Sequence, residues 1–246
     1  MLKAIKKNLT NYFIFIFLLI FATVIKGFNL GEMGIGGDEC FSVYSAQLPP
    51  STIISWLTTG DNPPLWELLL HYWINAFGAS EISIRTPSLI FNVLTIVPIY
   101  LIGENFVRKN SGIIASLLFI FSSLSLFMSH EARVYSLLGF LVTYSVYFFL
   151  TTIRTPKSKI YIILLTVING LILYSHYLGY WVILIQIFIY FRFSNVRKTL
   201  RWTYVYHLFA LLVLFLPLIP VLFNRFFDSG VNGTWISRVT GITDLY

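Results

Sequence analysis

Seven stretches of mainly apolar residues, 12–28, 84–102, 112–128, 135–153, 160–174, 177–191 and 204–222, recur along the chain with few charges inside them. A hydrocarbon core of ~30 Å takes about 17–25 apolar helical residues to cross, and with no water in that core the backbone has to satisfy its own hydrogen bonds. The pattern predicts an all-α polytopic membrane protein of about seven transmembrane helices. With 57% of residues hydrophobic, 11% charged and a mean hydropathy of +0.78, a water-soluble fold has too little polar surface to cover its core. The first stretch follows the basic start Met-Leu-Lys-Ala-Ile-Lys-Lys and has no small-residue cleavage pattern after it, so it reads as an uncleaved signal anchor. No internal repeat is visible, and the whole chain reads as a single membrane-embedded module.

Charge sets the orientation. With the N-terminus inside, the connectors on that side hold Lys3, Lys6, Lys7, Arg108, Lys109, Arg154, Lys157, Lys159, Arg192, Arg197, Lys198 and Arg201, 12 of the 17 basic residues. The acids do the reverse: Glu104 lies inside, and Glu32, Asp38, Glu39, Asp61, Glu67, Glu81, Glu131, Asp228 and Asp244 lie outside. The net charge of +7 is therefore a signature of topology and of contact with anionic lipid, and no nucleic-acid partner is called for. The single cysteine excludes an internal disulfide, and Cys40 reads as a small buried residue.

The first external loop, 29–83, carries most of the polar interest. Within it, 64–77 is too short for a crossing, and counting it as one would put the basic connectors outside. Leu65, Leu68, Leu69, Tyr72, Trp73 and Ala76 share one helical face, and Glu67, His71 and Asn75 recur on another, which predicts an interfacial amphipathic helix. Asp61 and the Pro63-Pro64 pair precede it, where a carboxylate also serves as a helix cap.

Carboxylates gathered at one face of a helical bundle are costly to desolvate and mark ion, metal or chemical sites. Asp38 and Glu39 are adjacent, and Asp61 lies in the same loop. His130-Glu131-Ala-Arg133-Val-Tyr135 and Tyr174-Ser-His176-Tyr177 lie in later external connectors. Such oxygen and nitrogen donors suit a divalent cation (Mg, Mn or Zn), and a carboxylate left out of metal binding can serve as general base. Arg85 and Arg133 offer paired donors for a phosphate, or else pair with Glu81 and Glu131. His71 and His130 read as interfacial polar residues, and His207 is assigned no role.

Four motifs in order, Gly37-Asp-Glu-Cys-Phe-Ser-Val-Tyr44, Asp61-Asn-Pro-Pro-Leu-Trp66 with His71 and Trp73, Gly78-x-Ser-Glu-x-x-x-Arg85-x-Pro-Ser88, and Glu131-Ala-Arg-Val-Tyr-Ser-Leu137, resemble the polytopic GT-C glycosyltransferases. Among these, the group of protein mannosyltransferases, lipid A aminoarabinose transferases and related bacterial lipopolysaccharide glycosyltransferases is the most similar. The resemblance implies a polyprenyl-phosphate sugar donor and transfer with inversion to a hydroxyl of a lipid, glycan or protein acceptor. The setting it implies is the external face of a multi-pass protein in the cell membrane. It puts Asp38 and Glu39 at the catalytic centre, with Asp38 as base. Arg85, Glu131, Arg133, Tyr135 and His71 would bind the donor, and Asp61 and His176 would hold any metal. Many members carry His or Lys just before the two prolines, where this chain has Asn62, so a phosphate contact at that point is not implied here. Members are generally longer, and the resemblance implies that their C-terminal part is missing. Two other readings stay open, a transporter of lipid-linked sugars and a non-catalytic membrane assembly subunit.

Overall fold

In a computed structural model of the chain, the backbone is described for residues 2–59 and 63–223, and side chains for 12–55 and 63–223. Among these residues there are α-helices and no strand: α1 (Leu2–Gly27), α2 (Asp38–Ala46), α3 (Pro50–Thr59), α4 (Leu65–Phe77), α5 (Glu81–Leu94), α6 (Ile96–Ile102), α7 (Ser111–Ile120), α8 (Ser123–Ser129), α9 (Tyr135–Arg154), α10 (Lys159–Leu173), α11 (Tyr180–Arg192) and α12 (Ser194–Phe215). Three continuous runs are long and apolar enough to cross a membrane: Glu81–Val107, Tyr135–Arg154 and Ser194–Phe223. A fourth is available if α7 and α8, bent by 62° at their junction, count as one broken span. The apolar helices at Tyr12–Gly27, Lys159–Leu173 and Tyr177–Arg192 are shorter.

The breaks have local causes. Pro98 lacks the N–H that the Leu94 carbonyl would use, and α5 ends at Leu94. Between α7 and α8 the Ser122 hydroxyl accepts from the Ser125 amide (3.3 Å), an N-cap that starts a new helix where the old one could have continued. At Arg201 the backbone leaves the helical region (φ 42°), which kinks α12 near its start.

Packing is apolar with two polar knots. One core joins Trp66 of α4 to Leu137 and Leu141 of α9, Ile172 and Leu173 of α10, Ile183 of α11 and Leu211 of α12. Beside it Ser145, Asn169 and Gln186 close a ring of hydrogen bonds. Ser145 donates to Asn169 Oδ1 (2.6 Å), Asn169 Nδ2 to Gln186 Oε1 (2.9 Å), and Gln186 Nε2 to Ser145 Oγ (2.7 Å). Buried polar groups that satisfy one another across α9, α10 and α11 act as glue between helices where lipid supplies no hydrophobic drive. The second knot ties α1 to α5, α8 and α9. Fully buried Lys26 donates to Ser125 Oγ (2.6 Å), Ser125 to Asn92 Oδ1 (3.0 Å), and Asn92 Nδ2 lies 3.4 Å from Ser136 Oγ.

Arg154, the last residue of α9, donates to the Asn105 carbonyl (2.6 Å), so the far ends of Glu81–Val107 and α9 meet at the end carrying the basic connectors. Their starts meet at the other end, where the acids of the first loop lie. One expectation fails in that loop, that of a buried Cys40. In α4 the residues turned inward are Trp66, Glu67 and Leu70, while Tyr72 and Ala76 of the apolar face are exposed. The reason is that α2 packs on α4 and receives its polar side: Ser42 donates to Glu67 (3.3 Å), and His71 meets the Ala46 carbonyl (2.8 Å). Cys40 is an exposed free thiol and not a core residue, because burial of its neighbour Glu39 turns it outward.

Gly103 and Gly112 mark a close approach of backbone to backbone. A Cβ on Gly103 would strike the Gly112 backbone, and one on Gly112 would strike the Tyr100 carbonyl. We expect Gly103→Val to cost about 1–3 kcal/mol through overpacking, read as a lower melting temperature in detergent, whereas Gly139→Val, in open space, leaves it nearly unchanged.

Candidate functional site

Adjacent acids on a helix point about 100° apart, so Asp38 and Glu39 separate as soon as α2 forms. The helix starts at Asp38 because Gly37 adopts φ +53°, which a side chain would strain. Glu39 is 2% exposed; Asp38, whose side chain is 76% exposed, stands at the rim of a cleft of about 640 Å³.

Glu39 is fully engaged. Its Oε1 accepts from Arg85 Nε (3.0 Å) and from the Ala132 amide (2.7 Å), and its Oε2 accepts from Arg85 Nη2 (2.7 Å). Arg85 in turn spends every donor it has, since Nη1 reaches the carbonyls of Leu30 (3.1 Å) and Met33 (2.6 Å) and Nη2 also reaches that of Gly34 (3.2 Å). Burial alone would raise the pKa of Glu39. The hydrogen bonds and charge of Arg85, with the amides of Ala132 and Gly36, outweigh it and hold the carboxyl below the usual carboxylate range.

Arg133 is placed differently. Its Nη1 donates to the Asp38 carbonyl (3.1 Å) and Ser42 Oγ (3.2 Å), its Nη2 lies 3.4 Å from Asp38 Oδ2, and its buried Nε has no partner among the described residues. Unlike Arg85, it keeps donor capacity at the cleft. The Tyr135 ring lies 5.7 Å from its guanidinium carbon and 6.0 Å from the His176 ring. Glu131 lines the cleft too, and burial together with the charges of Glu39 and Asp38 raises it above its ordinary value, against the pull of Arg85 and Arg133.

The structure thus brings Asp38, Glu39, Arg85, Glu131, Arg133 and Tyr135 into one cleft. It does not bring in His71, whose Nδ1–H donates to the Ala46 carbonyl while Nε2 accepts from Asn75 (3.0 Å). His176 lies behind Tyr135, and its Nδ1 accepts from the Leu178 amide (3.1 Å). Asp61 lies outside the described residues. Arg85 pairs with Glu39 and Arg133 with Asp38, where the alternative to a phosphate-binding role was pairing with Glu81 and Glu131.

Two residues read as interfacial polar groups, and given no role at the site, also belong to it. His130 lines the cleft and donates from Nε2 to the Lys26 carbonyl (2.8 Å); its place directly before Glu131 was the available signal. Glu67, behind the cleft, is bonded by Ser42, the same hydroxyl that Arg133 meets. Burial drives it above the carboxylate range, with Ser42 and the Arg133 charge offsetting part of the rise.

Among the described residues, which do not include Asp61, no group of three His, Cys, Asp or Glu side chains converges: Glu39 is committed to Arg85, and His130 to a carbonyl. The positive charge facing this cleft is that of arginine.

The fold and the site define an all-α bundle of apolar, membrane-type helices with a cleft of carboxylates and guanidinium at one end. Residues 61–223, about two-thirds of the chain, match the family model described as dolichyl-phosphate-mannose-protein mannosyltransferase, and the chain belongs to that family. It is accordingly a membrane glycosyltransferase of the kind that uses a lipid-linked sugar donor. No curated protein and no solved structure matches it.

The two buried carboxyls give opposite expectations. Glu39 is more acidic folded than unfolded, so its stabilisation is complete above the ordinary glutamate value of about 4.3 and fades as pH falls through the folded value. Glu39→Gln leaves Arg85 buried and unpaired and is expected to cost about 3–5 kcal/mol at neutral pH. Glu67 has the reverse shift, so ionising it works against folding above the unfolded value. Glu67→Gln should therefore hold or raise the neutral-pH melting temperature. Melting curves of both variants at pH 7 check the pair of signs.

Proposed function

We propose that the chain transfers a sugar from a polyprenyl-phosphate donor to an acceptor hydroxyl, with inversion at the anomeric carbon, in the cleft lined by Asp38, Glu131, Arg133 and Tyr135. The protein crosses the cell membrane seven times, the shorter apolar helices included, with this cleft on the external face. Three features support the reading: family membership, the excess of basic residues at the opposite end, and above all the contrast between Asp38 and Glu39. The exposed carboxylate next to a guanidinium with unspent donors is the arrangement the reaction needs.

The division of labour follows from geometry. Asp38 takes the acceptor proton as the acceptor oxygen bonds to the anomeric carbon. The bond from that carbon to the phosphate oxygen breaks, and the lipid phosphate leaves with the electron pair. Negative charge grows on the departing phosphate, where Arg133 meets it with preorganised donors in a partly desolvated site. Glu39 and Arg85 take no part in the proton transfer; they hold the Ala132 amide and the loop 30–34, whose Met33 and Gly34 line the cleft. Tyr135 supports the Arg133 guanidinium, and Glu131 lines the opposite wall. The sugar and the acceptor class are left to the assay: the family name points to mannose, and nothing in the cleft selects among hexoses and pentoses.

The decisive measurement incubates purified protein with a panel of polyprenyl-phosphate sugars and follows release of the lipid phosphate. Asp38→Asn should lower transfer by about 10²–10⁴, the usual contribution of a general base, with the melting temperature unchanged. A variant at full activity would show that Asp38 is not the base. Arg133→Lys keeps the charge and loses the planar fork, so it should weaken turnover by less than Asp38→Asn does.

A further inference from the structure

We propose that a second site, at the end of the bundle away from the cleft, binds the headgroup of an anionic glycerophospholipid between α10 and α12. A cavity of about 360 Å³ there is lined by Lys159, Thr166, Thr203, Tyr206 and His207, with two isoleucines of α10 completing the wall. It opens where lipid would lie: Tyr206 and Ile163 are among the exposed residues of these apolar helices.

The donors divide into those already used and those on offer. The Thr166 hydroxyl donates to the Ile162 carbonyl (2.7 Å), so its contact with His207 Nδ1 (2.8 Å) runs from the ring N–H to the hydroxyl oxygen. His207 Nε2 faces Asn169 (3.5 Å), which joins the ring to the closed knot of Ser145, Asn169 and Gln186. His207, 2% exposed, is thereby locked and gives the cavity a rigid polar back wall. The Lys159 ammonium and the hydroxyls of Thr203 and Tyr206 make no hydrogen bond among the described residues, so one cation and two O–H donors are available within a slot completed by two isoleucines and by Thr166 and His207, which are already engaged. That is the chemistry of a phosphodiester with acyl chains attached: charge and donors for the oxygens, isoleucine for the glycerol and first methylenes.

Charge complementarity selects an anionic headgroup over a zwitterionic one. At the same end Arg154 and Arg192 close α9 and α11, Lys157 lies in the connector before α10, and Arg197, Lys198 and Arg201 lie in the first part of α12. Glu104, the acid at this end, already accepts from the Gly112 amide (3.1 Å). Basic pockets between helices on such a face are suited to anionic lipid headgroups. A free phosphate would share the polar contacts but leave the aliphatic wall uncovered.

The test is independent of transfer activity. Full-length protein in detergent is titrated with phosphatidylglycerol, phosphatidylcholine or inorganic phosphate, and melting temperature and lipid adducts by native mass spectrometry are read for wild type, Lys159→Gln, and Tyr206→Phe with Thr203→Val. Phosphatidylglycerol should raise the melting temperature and remain bound, phosphatidylcholine should do so by less than half as much, and phosphate not at all. Both variants should keep the wild-type melting temperature without lipid and lose most of the gain with it. Equal stabilisation by phosphatidylcholine or by phosphate, or an undiminished response in Lys159→Gln, overturns the proposal. If one variant fails to fold, the other together with the lipid series decides.

Discussion

A single ion pair, Glu39 with Arg85, holds the acid-rich end of this bundle together. Two charges lie buried at the edge of a low-dielectric interior, and their attraction repays desolvation only because the remaining donors and acceptors are also satisfied. Here they are: the guanidinium spends all five N–H groups and the carboxylate accepts three times. Through these bonds α2, α5, the loop 30–34 and the strand of chain entering α9 become one rigid unit. Everything proposed for Asp38 and Arg133 presumes that this unit keeps them side by side.

Seen from that pair, the cleft divides into support and reagent. Glu39, Arg85, Trp66 (whose indole donates to the Ala132 carbonyl at 3.1 Å) and the Lys26 knot keep backbone in place. Asp38, Arg133, Glu131 and Tyr135 face the open space. The two sets touch through Ser42, which receives Arg133 and gives to Glu67, so a buried acid of α4 sits one hydroxyl away from the guanidinium proposed to meet phosphate. Membership of the mannosyltransferase family fits this arrangement of few charges, densely supported, at the rim of an apolar bundle.

Much of this was legible in the residues. Apolar runs gave the helical membrane class, and the split of acids from bases gave the two ends. The motifs around Gly37, Arg85 and Arg133 named six side chains that the fold collects in one cleft. What could not be read was phase and partnership. Asp38 and Glu39 are neighbours with opposite fates, and the difference is set by where α2 begins, which depends on one glycine at positive φ. Arg85 looked like a phosphate clamp because its carbonyl partners lie more than fifty residues upstream. The polar side of α4 looked solvent-facing because its cover, α2, is remote in sequence. His207, given no role beforehand, turned out to be a buried wall because its neighbours come from two other helices. Long-range pairing supplied each missing fact, and periodicity carries none of it.

The saturated guanidinium of Arg85 also bears on biogenesis. The loop 30–34 and α2 leave the ribosome well before Arg85 does, so during insertion Glu39 has no cation to neutralise it and those carbonyls have only water. The rim of the cleft cannot take shape until the helix bearing Arg85 is made, and it is incomplete until the Ala132 amide arrives almost fifty residues later. Assembly of the cleft is thus a late event in synthesis, and a nascent chain halted before that point presents an ionised, hydrated acid in place of a formed pocket.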